Sequence, residues 1–174
     1  MACQILVVED NPVILRLVSA ILDRHGYAVK TAKDGLSALN TLEKFTPDII
    51  FTDLIMPKID GEKLCRVIRS KKQFKDTYLV ILSGIAAEMG LDLDEIGVDA
   101  CIAKGKNLEE NIVEVLEAIE NGSLRSEQSK IYGFKDVFLR EAVSGLLDVK
   151  KHLEVILANL SDGLLEINSE GIMI

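Results

Sequence analysis

The sequence has little cysteine, no long apolar run and no surplus of positive charge. Its three cysteines, Cys3, Cys65 and Cys101, are odd in number and fall at unrelated spacings. They match neither a disulfide framework nor a zinc site, and read as small buried side chains in a reducing compartment. No apolar stretch reaches the roughly 18 residues that a membrane span needs. No basic segment followed by an apolar one opens the chain, so a secretory signal is not expected. The formal net charge of −8 excludes attachment to nucleic acid or anionic membrane through bulk electrostatics. No basic recognition helix is visible. The expectation is a soluble, cytoplasmic chain with neither nucleic acid nor membrane as partner.

What is present is a regular alternation of short apolar runs and amphipathic stretches. The chain has 174 residues, 48% of them apolar, enough for one domain with a sizeable core and something left over. Gln4 to Val8 is a continuous apolar run, as expected of a strand buried on both faces. Asn11-Pro12 can open a helix carrying Val13, Ile14, Leu17, Val18 and Ile21, which Gly26 ends. Tyr27 to Ala32 reads as a second strand, Leu36 to Phe45 as a second helix, and Asp48 to Thr52 as a third strand. A helix with Leu64, Val67 and Ile68 follows the turn at Pro57 and Gly61. Leu79 to Leu82 is a fourth strand and Ala100 to Ala103 a fifth. A helix between them, over 86–96, is weakened by Gly90 and acidic residues. Asn107, with Glu110 three residues on, is placed for a capping box. The last helix of this series ends at Asn121-Gly122. Five strand–helix pairs with short connections predict an α/β, doubly wound parallel sheet over residues 1–122.

Ligands of such sheets sit beyond the carboxyl ends of the strands. The first strand ends in Glu9-Asp10, the third in Asp53, the fourth in Ser83 and the fifth in Lys104. Three carboxylates, a hydroxyl and an ammonium should therefore converge on one edge. Clustered carboxylates repel unless a cation neutralises them, and oxygen ligands suit Mg²⁺. A carboxylate can attack phosphorus to give an acyl phosphate. Lys104 and Ser83 would then compensate the incoming phosphoryl oxygens.

With these residues in place, Ile5-Leu6-Val7-Val8-Glu9-Asp10-Asn11, Thr52-Asp53-Leu54-Ile55-Met56-Pro57 with Asp60-Gly61, Leu82-Ser83-Gly84 and Ala103-Lys104 resemble the motifs of the two-component response-regulator receiver family. The resemblance implies a flavodoxin-like sheet of five strands in the order 2-1-3-4-5, with Asp53 as the phosphoacceptor and Asp10 as a direct Mg²⁺ ligand. It makes Glu9 an acidic partner acting through water, and the Ile55 carbonyl a backbone ligand. Ser83 becomes the switch hydroxyl and Lys104 the phosphate-binding lysine. It also implies a histidine kinase or phosphotransfer protein as donor. A haloacid-dehalogenase-type phosphotransferase would need a second aspartate two residues after the nucleophile, where Ile55 stands. A degenerate receiver, acting as a phosphorylation-independent binding or dimerisation module, is the alternative; the complete residue set speaks against it.

Three departures bear on readout. Cys101 stands where the family usually has an aromatic, and Gly105 where it usually has proline. The resemblance places Ile55 and Ile85, flanking the pocket, near the water that would hydrolyse the phosphoryl group; two branched apolar side chains cannot orient it, so a long-lived phosphorylated state is expected. Beyond residue 122, 123–133 reads as a linker. Leu139, Val143, Leu146, Lys150, Leu153, Leu157 and Leu160 then form a heptad seam over 134–160, a signalling or coiled-coil helix suited to homodimerisation. His152 to Leu164 resembles the entry of a PAS sensor domain, with 161–174 as its truncated start, which implies a longer protein.

Overall fold

The computed structural model describes residues 3–84, 93–124 and 130–133. The chain divides into Met1–Asp136 and Val137–Ile174, and all described residues belong to the first unit. The 134–160 helix and the PAS-like tail lie outside the described residues.

Among the described residues, six strands and five helices alternate. They are β1 (Gln4–Val8), α1 (Pro12–Arg24), β2 (Ala28–Ala32), α2 (Gly35–Leu42), β3 (Ile49–Asp53), α3 (Gly61–Arg69), β4 (Tyr78–Ser83), α4 (Leu93–Ile96), β5 (Ala100–Ala103), α5 (Leu108–Glu120) and β6 (Lys130–Tyr132), with a 3-10 turn at Lys72–Phe74 before β4. Every pairing is parallel, in the order β2-β1-β3-β4-β5-β6. The fold is the flavodoxin-like α/β sheet expected, with a sixth strand added.

Strand alternation divides the apolar runs between two cores. Ile5, Val7, Phe51, Leu82 and Ile102 pack with Val18, Ile21 and Leu22 of α1 and with Ile112, Val115 and Leu116 of α5. Leu6, Val8, Ile50, Ile81 and Cys101 face the other way, onto Ala38 and Leu42 of α2 and Leu64, Cys65 and Ile68 of α3. Burial on both faces is why these strands read as unbroken apolar runs. β3 is central, between β1 and β4, and all five of its residues are buried.

Local chemistry fixes the helix starts. The Asn11 side chain accepts from the Val13 and Ile14 amides at 2.9 and 3.4 Å, with Pro12 in the first turn. Asp34 and Ser37 form a reciprocal capping box on α2, and Asp60 accepts from the Lys63 amide at 2.8 Å to cap α3.

Several boundaries differ from the sequence reading. β2 starts at Ala28 rather than Tyr27, and α2 ends at Leu42, short of Phe45. β4 extends by a residue at each end, to Tyr78 and Ser83. Of the expected helix over 86–96, Leu93–Ile96 is described and is helical. The capping box at Asn107 does not form: the residue sits at φ −103°, ψ 27°, and its side chain makes no cap hydrogen bond. An N-cap normally needs extended backbone to aim its side chain at the first turn. The stretch read as a linker contributes core and sheet. Leu124 is 1% exposed, and β6 pairs with β5 through Ala100↔Lys130, Cys101↔Ile131 and Ile102↔Tyr132.

Candidate functional site

Parallel pairing brings the carboxyl ends of β1, β3, β4 and β5 to one edge. Register sets their levels: Val8 pairs with Thr52, Asp53 with Leu82, and Ser83 with Ala103. Glu9 thus emerges beside Asp53 from one side, while Ser83 and Lys104 emerge from the other. Glu9, Asp10 and Asp53 each offer a carboxylate oxygen, and the three oxygens lie within 4.8 Å of one another. Glu9 and Asp53 are buried, and Asp10 is exposed at the mouth.

Lys104 joins the two buried acids. Its Nζ stands 2.7 Å from Glu9 Oε2 and 2.8 Å from Asp53 Oδ1, with only 15% of its side chain exposed. The Asn11 amide donates to Glu9 Oε1 at 3.2 Å, and the Ile55 amide to Asp53 Oδ1 at 3.4 Å. Burial raises the Glu9 carboxyl above its ordinary value, and the Asp53 charge adds to this; Lys104 and the Asn11 amide oppose it. Ser83 is buried at 4% exposure, and its carbonyl accepts the Lys104 amide at 2.5 Å. That bond couples the backbone at the ends of β4 and β5.

Three carboxylates face one ammonium, so the pocket has a formal deficit of two positive charges. Glu9 Oε2 is fully buried and, although in ion-pair contact with Lys104, lacks a hydrogen bond of good geometry. Clustered hard oxygen donors with this deficit fit a divalent cation. A monovalent ion would leave charge uncompensated, and the absence of nitrogen or sulfur donors disfavours zinc.

The turn after Asp53 is shaped by two residues whose importance the sequence shows only in part. Gly61, at the start of α3, lies so close to β3 that a Cβ there would overlap the Asp53 carbonyl oxygen and come within 2.9 Å of the Leu54 Cα. Its amide donates to the Leu54 carbonyl at 2.8 Å. Lys58 adopts φ +71° and places its Nζ 3.3 Å from Asp34 Oδ2, tying this turn to the start of α2. Asp60-Gly61 was visible as a motif, but the steric reason for the glycine is tertiary. Nothing in the sequence marks Lys58. The Ile55 side chain is 57% exposed beside the pocket; Ile85 lies outside the described residues.

The parallel α/β sheet thus gathers two buried carboxylates, an exposed one and a lysine at its carboxyl edge. Residues 5–117 match the response regulator receiver domain family. The chain belongs to that family. It is 39% identical over 105 residues to the sensor histidine kinase RcsC of Salmonella typhimurium, a match covering 60% of this chain and 11% of the kinase. The chemotaxis response regulator CheY4 of Vibrio cholerae superimposes with a TM-score of 0.63 at 28% identity, over 68% of this chain and 99% of that one. The response regulator TrrA of Thermotoga maritima, solved in complex with Mg²⁺-BeF, gives 0.59 at 31% identity, over 66% and 97%. The match thus spans a small part of RcsC and nearly the whole of the CheY4 and TrrA chains. Among the described residues, no helix is long and apolar enough to cross a membrane.

Proposed function

We propose that this receiver is an active phosphoacceptor: Asp53 takes a phosphoryl group from a phosphohistidine on a histidine kinase or phosphotransfer protein. An Asp53 carboxylate oxygen attacks phosphorus, the P–N bond breaks, and the imidazole leaves with the electron pair. The product is an aspartyl phosphate on this chain, with no external substrate turned over. The observation that carries this reading is the placement of Lys104 Nζ 2.8 Å from Asp53 Oδ1 and 2.7 Å from Glu9 Oε2. A cation already at the acceptor is poised to follow the charge of the incoming phosphoryl oxygens.

Glu9, Asp10 and Asp53, with the Ile55 carbonyl, are the residues that would hold Mg²⁺. When bound, the ion supplies charge compensation for the acceptor and the phosphoryl oxygens. Ser83 is placed to donate its hydroxyl to a phosphoryl oxygen. Lys104 exchanges part of its pairing with Glu9 for the new anion. Branched apolar Ile55 beside the pocket offers no group to orient water, which supports a phosphorylated lifetime on the order of hours.

Capture at Asp53 would switch the output of a larger sensor or regulator protein. The heptad seam over 134–160 supports homodimerisation through that segment, and the motif over 152–164 supports a following PAS-like domain. The composition supports a cytoplasmic location with neither nucleic acid nor membrane as direct partner.

Treatment with acetyl phosphate and Mg²⁺, followed by intact mass measurement, tests the central claim. One phosphoryl adduct is expected on the natural chain and none on Asp53→Asn. An equal adduct on Asp53→Asn would assign the acceptor elsewhere, and no adduct on either would favour the binding-module alternative.

A further inference from the structure

The chain beyond α5 returns to the site. Because β6 runs parallel to β5 and α5 lies between them in sequence, the two strands run in the same direction across the sheet. β6 therefore ends at the same edge as Lys104. Tyr132 pairs with Ile102, so the next step puts Gly133 level with Ala103, one residue short of Lys104. Neighbouring strands are about 4.8 Å apart. The chain leaves the receiver one strand spacing from the end of the strand that carries the pocket lysine.

Its exit is held on two sides. Tyr132 is 8% exposed, within the core that α1 and α5 share. Gly133 adopts φ +73° and lies against Asn111 so closely that a Cβ would overlap the Asn111 amide. Asn111 is itself buried in the first turn of α5, the helix that opens just after Lys104. β6 is nevertheless the shortest strand among the described residues, with three paired residues where β1 and β2 share five.

The pull on β5 comes from the opposite side. The Lys104 amide is bonded to the Ser83 carbonyl on β4, and its side chain reaches Asp53 on β3. Any shift of Lys104 or Ser83 toward a phosphoryl group on Asp53 draws the end of β5 away from β6. We infer that β6 and Gly133 form a latch between the Asp53 pocket and the chain that follows, released when Asp53 captures a phosphoryl group. The latch rests on the phosphoacceptor reading above. Linkage makes it reciprocal: if capture loosens β6, weakening β6 must favour capture by the same factor.

The test is hydrogen exchange of the backbone amides at 130–133 in the full chain, with and without Mg²⁺ and beryllofluoride as the phosphoryl mimic. The acetyl phosphate adduct is measured on the same preparation. Exchange is expected to rise at least about fivefold on capture, the lower end of ordinary allosteric coupling. Gly133→Ala, which opens the latch, should raise beryllofluoride affinity by the same factor. Gly122→Ala is the control: it carries a comparable positive φ of +68°, but its Cβ would meet nothing within 4 Å, so it should change neither quantity. Unchanged exchange in natural protein that does form the Asp53 adduct overturns the latch and leaves the phosphoacceptor standing. A chain that forms no adduct overturns both. The wild-type exchange measurement decides the matter even if Gly133→Ala folds poorly.

Discussion

Arg69, at the end of α3, meets Asp99 with its Nη2 2.5 Å from Oδ2. The same guanidinium donates to the carbonyls of Gly97 at 2.6 Å, Phe74 at 3.2 Å and Thr77 at 2.8 Å. Asp99 Oδ2 in turn accepts the Leu79 amide at 2.7 Å. One side chain thus joins the end of α3, the 3-10 turn, the start of β4 and the turn into β5. Truncation would leave a mostly buried carboxylate and three carbonyls without this donor. Arg69→Ala is expected to lower unfolding stability by at least ~2 kcal/mol in urea denaturation. Arg69→Lys should recover little, because a point charge cannot serve four acceptors in a fan. A loss below ~0.5 kcal/mol for the alanine variant would contradict the clamp.

Gly61→Ala tests how Asp53, the proposed acceptor, is held. The added methyl overlaps the Asp53 carbonyl oxygen, so either the turn after β3 or the start of α3 must shift. A stability loss of ~1–3 kcal/mol is expected. Adduct formation with acetyl phosphate should also slow, because the shift originates at Asp53 itself. Normal adduct kinetics in a destabilised variant would show that the strain is absorbed in α3.

Asp34 gives the acid limb of stability a named contributor. Bonds from the Ser37 amide and hydroxyl, together with the Lys58 ammonium, hold its carboxyl below the ordinary value of 3.8. A depressed folded value means that the stabilisation is complete above the unfolded value and is lost as pH falls through the folded one. Asp34→Asn keeps a good helix cap but removes the titration. Its stability profile below pH ~4 should be shallower than that of the natural protein; identical slopes would remove Asp34 from the account.

Cys65 should be chemically silent in the folded state. Burial pushes its thiol up to about 12, leaving almost no thiolate near neutral pH. Labelling with a disulfide reagent at pH ~8 should reach Cys65 only at the rate of unfolding. Rapid labelling of Cys65 in native protein would mean that the α3 face of the sheet opens locally.

The pocket was legible in the sequence because its strands are buried on both faces. An apolar run that stops at Glu9, Asp53, Ser83 or Lys104 marks both the strand and its carboxyl end, and parallel topology then brings those ends together. Features that depend on distant backbone were not legible. Arg69 resembles any helix-end arginine until the carbonyls of Gly97, Phe74 and Thr77 surround it. β6 has three residues, too few for any period to emerge from the polar stretch around them. Asn107 has the right identity for a cap, but the Gly105 turn gives it the wrong backbone angles. Lys58 reaches Asp34 only because its backbone takes a left-handed turn that lysine seldom adopts.

β3 is enclosed on both edges by neighbouring strands and on both faces by helices, and all five of its residues are buried. Such a strand opens only when the whole domain unfolds. Asp53 is therefore mounted on the least compliant element of the fold. Mechanical response must be assigned to lighter parts at the periphery, as in an instrument whose anvil is fixed and whose needle is free. Substitutions that soften β3, such as Phe51→Ala, should blunt the response even with every pocket residue intact, because force generated at Asp53 would be absorbed where it arises.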